Sequence, residues 1–257
     1  MLTNNHVVDG ATKVKAELAD GRGFDVRVVG ADAATDIAVV KIEAHNLPAL
    51  EMGDSNALKV GDWVVGIGNA LGMGRTFSAG LVTAKGRSKL GIATLEDFMQ
   101  TSINMHVGDG GGPLLDLEGK VVGINTAFVG RERGTGISLA IPVNMAKSAY
   151  HQVVTTGGVE RGFLGVAFVD IDAKLAKDLR LKTAGGVLVN EVVSDSAASK
   201  AGIKKYDVVA EFNSVPIESG QQFLHLVASL RPGTEVEVVV LRDGVRQTLT
   251  VTLARRP

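Results

Sequence analysis

Polar and apolar residues alternate along Lys13-Val14-Lys15-Ala16-Glu17-Leu18, the period-two signature of a half-buried strand, and Ala19-Asp20-Gly21-Arg22-Gly23 follows as a turn. Phe24 to Val29 returns as a second strand. Further strand-like runs bounded by Gly, Asp or Asn fall at Ile37–Ile42, Trp63–Ile67, Leu81–Ala84, Pro113–Leu117, Val121–Asn125 and Ile137–Ile141. Short strands at this spacing predict an antiparallel barrel or sandwich. The period changes after Pro142: Val143 to Val154 carries apolar residues at helical spacing, Pro142 sits at the helix start, and Thr155-Thr156-Gly157-Gly158 stops it. A domain boundary is expected near residue 160. Beyond it, strands near Gly162–Val169, Gly186–Val192, Val208–Phe212, Glu235–Leu241 and Gln247–Leu253 surround helical segments at Ala197–Ala201 and Gly220–Leu230, a second compact domain of mixed strand and helix.

Composition fits this picture and narrows the function. The 257 residues suffice for one large or two modest domains, and 32 glycines against eight Phe, two Tyr and one Trp favour tight turns between many short strands. The net charge of -1 and the scattered Lys and Arg give no basic stripe, so nucleic acid is not an expected partner. No run of about 18 apolar residues and no charged-then-apolar leader marks a membrane helix or a signal peptide. The absence of cysteine excludes disulfides and thiol chemistry.

Three separated segments carry the chemistry: Thr3-Asn4-Asn5-His6-Val7-Val8, Ala34-Thr35-Asp36-Ile37-Ala38-Val39-Val40, and Gly108-Asp109-Gly110-Gly111-Gly112-Pro113-Leu114. The last resembles the nucleophile loop of trypsin-like serine proteases, G-[DN]-S-G-G-P-L, with glycine in place of serine. Acyl transfer to serine needs a base for the hydroxyl proton, a buried carboxylate that holds the base in one tautomer, and backbone N–H donors for the oxyanion. His, Asp and the nucleophile loop in that chain order are the arrangement of the chymotrypsin-like double barrel.

The whole chain resembles the bacterial HtrA/Deg (Do-like) proteases, through Leu2-Thr3-Asn4-Asn5-His6-Val7-Val8, Thr35-Asp36-Ile37-Ala38-Val39, Gly53-Asp54-Ser55, Val60-Gly61-Asp62-Trp63-Val64, Gly68-Asn69, Gly136-Ile137 and Ala140-Ile141-Pro142. Arg161-Gly162-Phe163-Leu164-Gly165-Val166 continues the resemblance into a PDZ domain. It implies a mainly β fold: a trypsin-like double β-barrel over 1–158, followed by a mixed α+β PDZ domain over 162–257. It also implies that the chain opens inside the His-bearing strand, so that the barrel is N-terminally incomplete, with exposed strand edges. In the catalytic set, His6 takes the general-base place, Asp36 the orienting-acid place and Gly110 the nucleophile place, with Gly108 and Gly110 N–H groups as oxyanion donors.

Glycine at 110 has no hydroxyl. Removing the nucleophile of a serine-protease triad lowers turnover by roughly 10⁶-fold, about 8 kcal/mol of barrier. Three consecutive glycines further predict a loop whose N–H groups are not held toward an oxyanion. The preceding residues depart too: the family reads Q-T-D-A-x-I-N-P-G-N-S-G-G where this chain has Gln100-Thr101-Ser102-Ile103-Asn104-Met105-His106-Val107-Gly108-Asp109-Gly110. Ser102 is expected to be a strand or loop hydroxyl, and His106 a loop histidine contacting backbone. His106 and Asp109 lack further ligands at metal-binding spacing, so no metal is expected. The glycine-rich run Gly68–Gly74 is not a phosphate cradle, since no Gly-Lys-Ser/Thr follows. The resemblance makes it a barrel loop near the active site, with Met73 and Phe77 either toward substrate or packing the loop, and Ser138 and Leu139 at the primary specificity pocket.

In the PDZ-like half, Phe163, Leu164, Gly165 and Val166 fall on the family's carboxylate-binding loop, and Phe223, Leu224 and Val227 are expected to wall the groove. Arg231-Pro232-Gly233 and the Arg242-Asp243-Gly244 turn frame the closing hairpin. The resemblance implies a periplasmic protein of protein quality control with unfolded or misfolded polypeptides and C-terminal peptide tails as partners, a homotrimeric assembly and no cofactor. Three readings stay open: a protease homologue silenced at residue 110, a PDZ scaffold recognising C-terminal tails, and an active-type protease carrying an introduced substitution.

Overall fold

The computed structural model describes residues 1–129, 137–178, 181 and 185–255. The chain divides into two compact units, Met1–Val159 and Glu160–Pro257. Gly136, part of one of the quoted motifs, lies outside the described residues.

Among the described residues, unit 1 holds ten strands. β1 (Leu2–Thr3), β2 (Val14–Glu17), β3 (Gly23–Asp32) and β4 (Ile37–Lys41) form an antiparallel sheet in the order β1-β4-β3-β2. β5 (Trp63–Gly68), β6 (Thr76–Arg87), β7 (Phe98–Thr101), β8 (Pro113–Leu115), β9 (Val121–Val129) and β10 (Ile137–Pro142) close into a barrel in the order β10-β7-β6-β5-β8-β9. Every strand predicted from the pattern is present, several of them longer than their apolar run. β7 was not predicted: three of its four residues are buried, so no alternation marks it.

Between β1 and β2 the chain makes the helical turn α1 (Asn5–Val8). His6 therefore stands on a helical turn, which corrects the expectation of a His-bearing strand there. Asn5 N–H donates to the Asp36 carbonyl, and this bond folds the segment after β1 away from the sheet ladder.

Helix α2 (Val143–Thr156) buries Val143, Ala146, Ala149 and Val153, a stripe at helical spacing that covers β3, β4, β9 and β10. It runs through Thr155 and Thr156, two residues beyond the predicted stop, and ends at Gly157, whose left-handed conformation (φ 79°) lets its N–H return to the Val153 carbonyl. Its first turn pins the Gly53-Asp54-Ser55 motif. Asn144 N–H donates to Ser55 Oγ (3.2 Å), Asn144 Nδ2 to Asp54 Oδ1 (2.6 Å) and Lys147 Nζ to the Gly53 carbonyl (2.6 Å).

Unit 2 is built on a sheet in the order β12-β13-β14-β16-β17: β12 (Val166–Asp170), β13 (Val187–Val192), β14 (Val208–Phe212), β16 (Glu235–Arg242) and β17 (Val245–Thr252). β15 (Val215–Pro216) pairs with β14, and β11 (Gly162–Phe163) pairs with β18 (Ala254–Arg255). Helices α3 (Ala173–Asp178), α4 (Ala197–Lys200) and α5 (Gly220–Ser229) complete it. α5 starts on Ser219, whose Oγ accepts from Gln222 N–H, and buries Phe223, Val227 and Ala228. The core centres on Phe212 and Phe223, edge-to-face at 5.8 Å, with Val187, Val209, Val238, Val240 and Val251. At one corner buried Asp207 receives Arg242 through two bonds, Nε to Oδ1 at 2.8 Å and Nη2 to Oδ2 at 2.7 Å.

Candidate active site and peptide groove

In unit 1, His6 and Asp36 meet although thirty residues separate them. His6 Nδ1 lies 2.7 Å from Asp36 Oδ2, and His6 N–H donates to Asp36 Oδ1 at 2.9 Å. The carboxylate is thus bound to one residue through both oxygens, with the proton on Nδ1 and the Nε2 lone pair free to accept. Asp36 takes a left-handed backbone (φ 59°), which Asp tolerates, at the entry to β4. Its carbonyl accepts from Asn5 N–H (3.1 Å) and from Asn4 Nδ2 (3.0 Å), so the backbone that carries the carboxylate is held on two sides. Asp36 is buried, whereas the His6 side chain is 53% exposed, an arrangement that fixes the ring through its inner edge and leaves the outer one accessible.

Gly110 faces that outer edge. A Cβ added at Gly110 would stand 3.3 Å from His6 Nε2, so residue 110 is within reach of the base. The three predicted catalytic positions come together in one place. Gly110 itself is not among the glycines with positive φ, and a serine fits its backbone conformation.

The loop around it is tied down. Gly111 N–H donates to the Asn125 carbonyl (2.8 Å), Gly112 N–H to the Asp109 carbonyl (3.2 Å), and Asn125 N–H to the Gly112 carbonyl (2.9 Å). Asp109 is buried, and its Oδ2 accepts His106 N–H at 2.7 Å. These bonds correct the expectation of a loosely held glycine loop: β9 and the Asp109 side chain supply the restraint that the glycines lack. Gly108 needs to be glycine, because its φ is 99° and a Cβ there would run into the Asn69 carbonyl. The Gly108 and Gly110 N–H groups have no acceptor among the described residues, so both are available to a ligand oxygen.

Several secondary expectations meet different fates. Ser102 follows directly on β7, and its Oγ accepts the N–H of Leu81 on β6 at 2.9 Å, the role of a loop hydroxyl at a strand end. His106 does not contact backbone through its ring: Nδ1 is buried without a hydrogen-bond partner, 3.8 Å from Asp109 Oδ2. Among the described residues no group of three or more His, Asp or Glu could hold a metal. The Asn69–Arg75 loop is joined to the 106–110 loop by Leu71 N–H donating to the Val107 carbonyl at 2.8 Å, and Met73 and Phe77 are exposed there. Leu139 packs in the core with Ile37, Phe98 and Ile124, and Ser138 Oγ donates to the Ile103 carbonyl. Both are buried, Leu139 in the hydrophobic core and Ser138 against the Ile103 carbonyl; as neighbours on β10 they leave its two opposite faces, both of which are covered.

Asn4 was missed as a site residue. It is fully buried, donates through Nδ2 to the Asp36 carbonyl and to Thr126 Oγ1 (3.1 Å), and so links the His6 segment to Asp36 and to β9. Its signal in the sequence was only its place beside Asn5 and His6, where nothing distinguishes an exposed asparagine from a buried one.

In unit 2, a groove lies between β12 and α5, and Phe163, Leu164, Gly165, Val166, Phe223, Leu224 and Val227 all line it. Arg161, Phe168 and Ala228 join them, and Arg161 Nη1 donates to the Ala228 carbonyl at 3.3 Å. Leu164, Phe223 and Val227 belong at the same time to the core of this unit, so the groove is lined by surfaces of core residues. β12 is an edge strand of its sheet, with one ladder of backbone groups facing the groove. Gly165 (φ 83°) turns the chain between β11 and β12, and its carbonyl accepts Val193 N–H at 2.9 Å.

A model of the trypsin-like peptidase domain matches residues 1–124, and one of the PDZ domain matches 162–253. Over 255 residues the chain is 42% identical to the periplasmic serine endoprotease DegP of Escherichia coli K12, with 98% of this chain and 54% of that protein aligned. It is 43% identical over 258 residues to a DegP-like protein of Chlamydia pneumoniae, covering all of this chain and 53% of the relative. The chain therefore spans about half the length of the curated relatives it matches. The solved structure of the HtrA-type protease AlgW with a decapeptide superposes over the whole chain and 79% of its own length, at 38% identity and a TM-score of 0.90. AlgW with a tripeptide gives a TM-score of 0.92 and 85% of its length.

Proposed function

Since this chain belongs to the HtrA/DegP family of trypsin-like serine endoproteases with a PDZ domain, we propose that it binds unfolded polypeptides and C-terminal tails in periplasmic protein quality control without cleaving them through an acyl-enzyme. Its domains are a protease-type domain over 1–158 and a PDZ domain over 162–257. The observation that carries the reading is the 3.3 Å between His6 Nε2 and the position of a Cβ on Gly110: base and orienting acid are assembled, and the residue they address has no hydroxyl.

The mechanism follows from what the present groups can do. Asp36 holds Nδ1–H of His6, so Nε2 is the accepting nitrogen. The Gly108 and Gly110 N–H groups supply two donors for a carbonyl oxygen, so a polypeptide segment is bound and polarised there. No serine oxygen attacks it, and the loss is roughly 10⁶-fold in turnover, about 8 kcal/mol. In the groove, the N–H groups of Phe163 to Gly165 receive a terminal carboxylate, the peptide adds as a strand to the free edge of β12, and its last side chain enters the apolar space beside Leu224 and Val227. Aliphatic C-termini suit that lining. By family, the assembly is a homotrimer, and analytical ultracentrifugation of the full chain tests it.

Two measurements test the proposal. Casein incubated with the chain stays intact, and degradation that tracks the purified protein contradicts silencing. Calorimetry with a short peptide ending in an aliphatic residue shows binding that disappears when the terminal carboxylate is amidated; undiminished binding of the amidated peptide contradicts carboxylate capture.

A further inference from the structure

The Cβ position of Gly110 is surrounded by polar atoms of one kind. It lies 3.3 Å from His6 Nε2, 3.6 Å from Asn4 Oδ1 and 3.6 Å from the Thr126 carbonyl oxygen. With the Nδ1 proton held by Asp36, all three are acceptors. The Asn4 amide cannot be turned round, because its nitrogen donates to the Asp36 carbonyl, so Oδ1 points to the Gly110 side. Asn4 is fully buried and its Oδ1 has no hydrogen-bond partner among the described residues. A hydroxyl on residue 110 has one proton and would satisfy one acceptor. A water molecule has two, and satisfies His6 Nε2 together with one of the oxygens.

We propose that Gly110, His6, Asn4 and Asp36 form a water-activating site that hydrolyses activated carboxylic esters directly, with no covalent acyl intermediate. The inference rests on the reading of His6, Asp36 and Gly110 as the catalytic set. One water proton passes to His6 Nε2 while the water oxygen bonds to the ester carbonyl carbon, and the carbonyl oxygen takes the negative charge against the Gly108 and Gly110 N–H groups. Collapse breaks the bond from that carbon to the leaving oxygen, and His6 returns the proton to the leaving group. The products are a carboxylic acid and an alcohol, and His6 ends neutral. Aryl esters are the class suited to it, because a phenolate departs with little help, whereas a peptide nitrogen requires full protonation at the moment of departure. Asn4 is a positioning residue: it orients the water and does not exchange its proton.

The test uses the full chain and p-nitrophenyl butyrate, with His6→Ala, Gly110→Ala and Gly110→Ser compared at matched melting temperatures. The unaltered chain turns over linearly from the first time point, and His6→Ala lowers the rate by about 10²-fold or more. Gly110→Ala gives a similar loss, because its methyl group occupies the position between the three acceptors while His6 and Asp36 remain. Gly110→Ser releases a burst of one p-nitrophenolate per chain. A wild-type rate equal to that of His6→Ala, or a Gly110→Ala rate equal to wild type, overturns the water site while a burst from Gly110→Ser upholds the catalytic set. Failure of Gly110→Ser to acylate overturns both.

Discussion

The cleft of unit 1 and the groove of unit 2, the two sites proposed above for polypeptide, depend on their sequences in opposite ways. In the cleft, three side chains must meet, and one missing oxygen removes the covalent step although His6 and Asp36 stand 2.7 Å apart and the loop is tied to β9. In the groove, the proposed donors are backbone N–H groups and the lining is largely apolar, so on that proposal no single side-chain atom carries the binding. Covalent chemistry is lost at one position, whereas recognition by backbone erodes only when the backbone itself is moved. A protein of this kind can lose cleavage and keep binding without any change of fold.

The contrast is broken most severely by a second change inside a repaired cleft. In a Gly110→Ser background, Asp36→Asn should cost about 10⁴-fold in turnover, since an amide in place of the carboxylate selects the wrong His6 tautomer; kcat/KM on a chromogenic peptide measures it. A loss below tenfold would mean that Asp36 does not orient His6. Peptide binding to the groove should be unchanged by the same substitution.

A structural change in unit 2 comes next. Asp207→Asn leaves the Arg242 guanidinium without the carboxylate that, with its hydrogen bonds, holds its pKa above the ordinary arginine value. We expect about 3 kcal/mol of destabilisation of unit 2, read as a shift in its urea midpoint, because breaking one side of a buried pair strands the other. Gly165→Val acts on the groove alone. Its φ of 83° disfavours a β-branched residue and its Cβ would strike Ser196, so the turn before β12 must move, and we expect at least a tenfold loss of peptide affinity by calorimetry.

The smallest effect belongs to Glu96, which closes the β6–β7 connection. Burial raises its pKa, but the N–H groups of Leu90, Ala93 and Ile92 outweigh burial and hold it below the ordinary value of 4.5. A lowered carboxylate pKa contributes stability above the unfolded value, and that stability is lost as pH falls through the folded one. The melting temperature of unit 1 should therefore drop on acidification below pH 4.5, and Glu96→Gln should reduce the unfolding free energy of unit 1 by about 1 kcal/mol at pH 7 while flattening the acid limb.

How much of this was legible in the sequence also divides along the same line. Alternation and turn residues predicted nearly every strand, and three motifs in chain order pointed to His6, Asp36 and Gly110 before any distance was known. Strand β7 escaped because Phe98-Met99-Gln100-Thr101 is buried on both faces. The turn α1 escaped because its geometry comes from the bond of Asn5 N–H to the Asp36 carbonyl, a contact distant in sequence. Asn4 escaped for the same reason: its three neighbours come from residues 36, 110 and 126. Leu139 was assigned to a pocket by analogy and is core, since resemblance gives the strand without giving the face it turns to solvent. What sequence conveys poorly is what long-range contacts impose.

Intact-mass spectrometry after treatment with a fluorophosphonate probe tests the central claim most directly. The chain with Gly110 should keep its mass, and the Gly110→Ser variant should gain one phosphonyl group that His6→Ala abolishes. Labelling of the unaltered chain, or a Gly110→Ser variant that takes no label, would contradict the account.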